Sequence, residues 1–342
     1  MKVSDKNKGF VIAIAWPETY CKQPGSWYDP LTLRMGFNRN NYYQAGHAAV
    51  VLINPETKKC HYFDFGRYHA PFKHGRVRSV ETDHELRMDS IPIFSEDQKS
   101  LLNLREILFE LQHNKACHGE GELFASYCRV DFQAAIQKAE QMQLESPISY
   151  GPFLIKGSNC SRFVNSVIRA GRPGLKYNFR LKFLVPLTPT PRNNVNSLNH
   201  RISLPANLNT SRFIPSQLLD EKSLNSALQP PSKNGTIPDK AQWLSGEGAG
   251  SWFVFEKLNS HLKVIRYSPE GKVECSGLFI SPNGNNTIPD ESFRITYPSN
   301  CKEISFRNGG LKVRFERVNG EKRQDASAIR QKHLVLPLPG LP

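Results

Sequence analysis

Two residue types in this chain, one cysteine and one histidine, sit in settings that suit nucleophilic chemistry. Cys160 follows Gly157, Ser158 and Asn159 and leads into Ser161, Arg162, Phe163, Val164, Asn165, Ser166, Val167 and Ile168. Ser158 and Asn159 are cap-type residues. Phe163, Val164, Val167 and Ile168 fall on one helical stripe, and Gly171 can stop the helix. Cys160 is therefore expected in the first turn of a helix. There, unpaired backbone N–H groups and the positive end of the dipole favour thiolate over thiol. The thiolate is the nucleophilic form, and the Cys160 N–H is the natural oxyanion donor. A cysteine at a helix start is, by itself, equally a small buried apolar residue.

The partner base is His47. Ala45 through Ile53 reads as a strand, Asn54-Pro55-Glu56-Thr57 as a turn, and Lys58 through Gly66 as the returning strand. Setting Ile53 opposite Lys58 places His47 opposite Asp64 on one face of the sheet. Asp64 would then hold one imidazole nitrogen while the other meets Cys160, the orienting role of a third triad member. A register slip would undo that pairing. His61 is the rival third residue, on the opposite face under ideal alternation. Asn159, Ser161, Tyr150 and His61 are the candidates to line the substrate cleft, with plain packing the alternative for Tyr150. Because the chain holds ten histidines, the combination carries the argument: small residues around His47, an acid on the next strand and a helix-start cysteine.

The run Asn159-Cys160-Ser161-Arg162-Phe163-Val164 resembles the nucleophile motif of the NlpC-type, papain-like cysteine peptidases. In most of that superfamily the cysteine helix precedes the histidine strand. Here His47 comes first, which is similar to the circularly permuted branch of acyltransferases and amidases. Residues 9–186 resemble that permuted core. The whole chain resembles an uncharacterised bacterial family with this core followed by a C-terminal β domain. The resemblance implies Cys160 as nucleophile, His47 as base, a polar residue on the following strand as orienter, and peptide or amide substrates, with cell-wall peptides suggested by the NlpC branch.

Composition bounds the rest. With 342 residues, 39% hydrophobic and 22% charged, the chain fits a globular protein of two domains. No apolar run approaches the roughly eighteen residues of a membrane helix. Met1 through Lys8 followed by Gly9–Trp16 imitates a signal peptide, but Pro17 and Glu18 follow and no small-residue cleavage site does. We read 9–16 as a first strand and expect a cytoplasmic protein. The seven cysteines are an odd number without close pairs, which argues against a disulfide scaffold. Cys117, His118 and Cys128 lack the spacing of a zinc site, so neither metal nor cofactor is expected. The net charge of +14 is dispersed, which argues against a nucleic-acid groove. Its densest stretch, Lys73 through Arg78, reads as solvated surface or as the rim of the site. Oligomeric state is not legible.

The elements that must position these residues form an α+β domain over 1–186, in which an antiparallel sheet packs on helices. Ser95 with Gln98 resembles a capping box opening a helix through Leu111, and Asp131 caps another through Met142. Residues 187–245 are rich in Pro, Asn and Ser and read as a connecting segment draped over the first domain. Six short strands between 246 and 319 suggest a small antiparallel barrel or sandwich, and 320–342 a tail. Trp252, Phe255, Tyr267 and Phe279 are core, or else a ligand patch. The reading is a cysteine hydrolase using a Cys-His dyad or Cys-His-Asp triad and a thioacyl-enzyme. The alternatives are an acyltransferase, a non-catalytic scaffold with a β binding module, and a redox sensor with a resolving cysteine near Cys160.

Overall fold

The computed structural model describes residues 8–207, 212–225, 229–247, 249–282 and 289–318. The tail expected at 320–342, and the basic residues before Lys8, lie outside the described residues. The chain packs as two units. One comprises Met1–Val80, Glu85–Leu228 and Gly246–Gly248; the other comprises Glu81–His84, Gln229–Ser245 and Ala249–Pro342.

In chain order the first unit contains β1 (Lys8–Trp16), β2 (Cys21–Lys22), α1 (Asp29–Arg34), β3 (Asn38–Arg39), β4 (Tyr42–Tyr43), β5 (His47–Asn54), β6 (Lys59–Gly66) and β7 (His74–Arg78). It continues with α2 (Leu104–His113), β8 (Leu123–Asp131), α3 (Phe132–Leu144), β9 (Ile148–Ser149), α4 (Cys160–Ala170), α5 (Leu175–Phe183), α6 (Pro191–Ser197), β10 (Asn199–Leu204) and α7 (Glu221–Asn225). The main sheet runs β10-β8-β1-β5-β6-β7-β9, and each pairing is antiparallel.

Strand alternation divides the core. Val11, Ala13 and Ala15 of β1 and Val50 and Leu52 of β5 face α3 and α4, meeting Ala135, Ile136, Phe163, Val164, Val167 and Ile168. Their neighbours Phe10, Ile12, Ile14, Val51 and Ile53 face α2, against Ile107, Leu108 and Leu111. Buried on both sides, β1 and β5 read as continuous apolar runs. Each fully buried large side chain here contributes about 1.5–3 kcal/mol, so the two layers hold the sheet firmly.

Three expectations need correction. The pairing of β5 with β6 sets Ala49, not His47, opposite Asp64. The turn has the four residues expected but sits one position later: Asn54 pairs with Lys59, the Asn54 side chain accepts from the Glu56 N–H at 2.9 Å, and Lys58 takes a left-handed φ of 50°. The slip is of two residues, so His47 and Asp64 still share a face. Second, Ser95 does not cap a helix. Its hydroxyl binds Asp97 and Ser100 within a tight turn closed by the Phe94–Leu101 bridge, and α2 starts at Leu104. Third, part of the Pro/Asn/Ser-rich stretch is integral to the sheet. It forms α6, whose Val195 is buried, and the edge strand β10.

The second unit holds β11 (Gln242–Leu244), β12 (Ser251–Leu258), β13 (His261–Tyr267), β14 (Val273–Ile280), β15 (Arg294–Thr296), β16 (Glu303–Asn308) and β17 (Leu311–Arg317), in sheet order β11-β12-β13-β14-β17-β16-β15. Gln242 draws the two end strands together. Its side chain donates to the Phe293 carbonyl at 2.9 Å and accepts from the Ile295 N–H at 2.7 Å. The antiparallel sheet thus curls into a nearly closed barrel around Phe253, Leu262, Phe279, Ile304 and Phe306. Phe279 is core; Trp252 packs with Ile237, Val254 and Trp243, and Tyr267 and Phe255 are partly buried. The α+β class and the C-terminal β domain expected from the sequence are both present.

Candidate active site

Helix α4 begins at Cys160. Asn159 is its cap, extended in backbone and accepting the Arg162 N–H on its side-chain oxygen at 2.8 Å. Asn159→Ala is expected to cost about 1 kcal/mol, read as a lower urea midpoint at unchanged slope. An unchanged midpoint would mean that the cap contributes nothing.

The His47 ring lies at the entrance of β5. Gly46 delivers it with a φ of +72°, and a Cβ at that position would lie 3.0 Å from Pro17 Cα and the Trp16 carbonyl oxygen. Only glycine is comfortable there. The Gly46 carbonyl stands 3.9 Å from Cys160 Sγ and 3.8 Å from Cys21 Sγ, so the two sulfurs flank one peptide group. Nε2 of His47 meets Asp64 Oδ2 at 3.2 Å. Cys160 lies near enough to the ring to favour its protonated form. Trp16 stacks on the imidazole at a ring separation of 5.8 Å, and Tyr68 meets it edge-on.

Asp64 is the most heavily partnered group of the site. Besides His47, it accepts from Tyr62 Oη at 2.9 Å and from Arg78 through Nε at 2.9 Å and Nη2 at 2.5 Å. Arg78 is itself buried, donates to the Ala116 carbonyl at 3.0 Å and lies under the Tyr68 ring. Burial pushes the Asp64 pKa up, but the Arg78 charge and the His47 and Arg78 hydrogen bonds outweigh it, so the carboxyl is held below the usual carboxylate range. For His47 burial disfavours the charged ring. The hydrogen bond to Asp64 and the nearness of Cys160 outweigh that and raise its pKa to about 9. The arrangement suits an imidazole that holds a proton beside a buried carboxylate and next to Cys160.

The structure brings Cys160, His47 and Asp64 together, with Asn159 as cap. Ser161 is buried, its hydroxyl 3.9 Å from Cys160 Sγ and its carbonyl bound by Asn194. Tyr150 stacks on Phe65 with the Arg67 guanidinium 4.9 Å from its ring centre. His61 is not brought to this group. It pairs with Leu52, three residues from Asp64 and therefore on the other face of β6, where its ring packs against Phe132. Cys160 and His47 are only 6% and 4% exposed, so the contact is made under cover and not in a wide cleft. Cys117 and Cys128 fall in the two separate core layers.

Sequence reasoning missed a buried polar group near Tyr150. Arg67 ion-pairs with Glu247 at 2.6 Å and donates to the Lys22 carbonyl, and Cys21 lies within reach of the Arg67 charge. Burial raises the Cys21 pKa and lowers that of Lys22. Glu247 comes from a three-residue visit of the chain to this unit, and no spacing announces it. Within Lys73 through Arg78, Lys73 is exposed as a solvated stretch would be, whereas Arg76 and Arg78 are buried and Arg78 joins the site through Asp64.

No curated protein matches the chain. Residues 241–318 match the family described as the DUF6695 C-terminal domain. The solved structure titled as the crystal structure of a Type VI secretion system effector, TseH, aligns at 20% identity and a TM-score of 0.35, covering 56% of this chain and 88% of that one. By family model, residues 11–173 are similar to the Type VI secretion system effectors described as TseH-like.

Proposed function

We propose that the first unit is a cysteine hydrolase that cleaves an amide or peptide bond through a thioacyl-enzyme. The observation that carries this reading is the contact chain from Cys160 to His47 to Asp64 to Arg78, with Cys160 on the first turn of a capped helix. Cys160 Sγ attacks the carbonyl carbon. His47 holds the thiol proton and passes it to the leaving amine, then takes one from the water that hydrolyses the thioester. Asp64 fixes the ring and balances its charge. The Cys160 N–H, ahead of the first intrahelical bond, faces the developing oxyanion. His47 preceding Cys160 fits the permuted branch of the papain-like fold. The effector description of the matching family, together with the NlpC-like motif, favours cell-wall peptides of a target bacterium.

Among the described residues no helix is long and apolar enough to cross a membrane. Production in a bacterial host, either in the cytoplasm or directed to the periplasm, is expected to lyse cells only in the second case, and not with Cys160→Ala. In vitro, iodoacetamide is expected to modify Cys160 ahead of Cys21 and Cys275 by mass spectrometry, and more slowly in His47→Ala. Equal labelling of the three cysteines, indifferent to His47, would sink the enzyme reading and leave a binding scaffold.

A further inference from the structure

We propose that His84, Cys275 and Cys301 form a metal site for a soft divalent cation, zinc by preference, in the second unit. One ligand atom from each of these residues lies within 4.8 Å of the other two. They reach that spot from three parts of the chain: the start of a 3₁₀ turn, the middle of β14 and the approach to β16. Both cysteines are buried and His84 is half-buried, which gives two fixed sulfurs and an imidazole on the side by which an ion enters.

The surroundings hold these ligands in place. Cys275 pairs directly with Arg266 across β13 and β14. Arg266 is buried and donates to Glu274 at 2.5 Å, to Asp83 at 3.1 Å and, more weakly, to Cys301 Sγ at 3.9 Å. The Cys301 N–H donates to the Thr82 carbonyl at 2.9 Å, and Thr82 Oγ1 donates to Asp83 at 2.8 Å. Residues 81–84 are thereby pinned beside both sulfurs.

The geometry is close to what zinc needs. Atoms at the corners of a triangle with 4.8 Å sides lie about 2.8 Å from its centre, against bond lengths of about 2.3 Å to sulfur and 2.0 Å to nitrogen. Closing that gap takes roughly half an ångström per ligand, within the reach of side-chain rotation. Binding releases the two thiol protons to solvent, and the two thiolates then balance the ion's charge. Arg266 adds no net repulsion, since Asp83 and Glu274 stand against its guanidinium. Two thiolates and an imidazole select a soft or borderline cation over magnesium or calcium. The fourth position is left for water or an outside ligand. A cation here would fasten residues 81–84 to the barrel.

The test is cobalt titration of the full-length protein, stripped of metal and kept reduced. Expected are one equivalent bound, the intense visible bands of tetrahedral cobalt, a sulfur-to-cobalt charge-transfer band, and loss of all of these on adding zinc. Cys160→Ala should leave the spectrum unchanged. Cys301→Ser should remove most of the charge-transfer intensity, and His84→Ala should weaken binding about tenfold or more. If a cysteine variant fails to fold, His84→Ala, altered at a half-buried turn, still decides the matter. Absence of the bands, or bands that survive both His84→Ala and Cys301→Ser, would overturn the proposal. So would a Cys275–Cys301 disulfide in the native protein with no cobalt uptake after reduction.

Discussion

Arg78→Ala is expected to destabilise the first unit by about 3–5 kcal/mol, because it leaves a buried carboxylate without its cation. Asp64 is fully buried, and Arg78 supplies two of its hydrogen bonds together with a full positive charge. The loss exceeds that of an ordinary salt bridge because solvent cannot take over the pairing. Urea unfolding followed by tryptophan fluorescence reads it directly, through Trp16 beside the His47 ring. The double variant Asp64→Asn/Arg78→Met removes both charges and is expected to cost clearly less than the sum of the single changes. Additive losses would show that the two groups act separately and that the contact chain does not run through Asp64.

Removing the imidazole should have the largest effect on rate. His47→Ala is expected to lower amide hydrolysis by about 10²–10⁴-fold, the usual weight of a positioned proton carrier. The pH profile offers a sharper reading. His47 is raised from 6.5 to about 9, so its proton persists to mildly alkaline pH, and hydrolysis should fall as pH rises past about 9 for want of an acid for the leaving amine. Asp64→Asn should move that alkaline limb downward. A limb that stays in place would detach Asp64 from the ring's titration. Stability follows the same proton. Between about 6.5 and 9 the folded chain holds it and the unfolded chain does not, so stability falls with rising pH by an amount on the order of 3 kcal/mol. Asp64 acts in the opposite direction. Its lowered pKa contributes stability that is lost only in strong acid, as pH falls through the folded value.

How much of this was legible in the residues depended on whether the signal was local. The α4 start was, since Asn159 and Gly171 mark its two ends and Phe163, Val164, Val167 and Ile168 mark its buried face. The shared face of His47 and Asp64 was legible through parity, although the pairing was two residues out, because nothing in Asn54 through Thr57 reveals that Lys58 bends into the turn. Ser95 with Gln98 shows the limit of pattern: the spacing suits a cap, yet Gln98 has a φ of 52° and the chain turns instead. Contacts between distant segments left no trace at all. Arg67 with Glu247, and His84 with Cys275 and Cys301, are far apart in the chain and become neighbours only once each unit has folded. The short strand β11 escaped notice because its three residues look like linker, and only the Gln242 bridge to Phe293 and Ile295 gives them a role.

The edge strand β10 carries a consequence for dissecting the chain. It covers β8 along Leu123–Tyr127, and Ser126 Oγ in that strand donates to the Val195 carbonyl at 2.7 Å. A fragment cut at residue 186, where motif and composition place the boundary, would strip this cover and leave a long apolar ribbon with open amides, a template for chain-to-chain stacking. The smallest piece able to stand alone is therefore set by hydrogen-bond accounting rather than by homology, and it runs at least through Leu204.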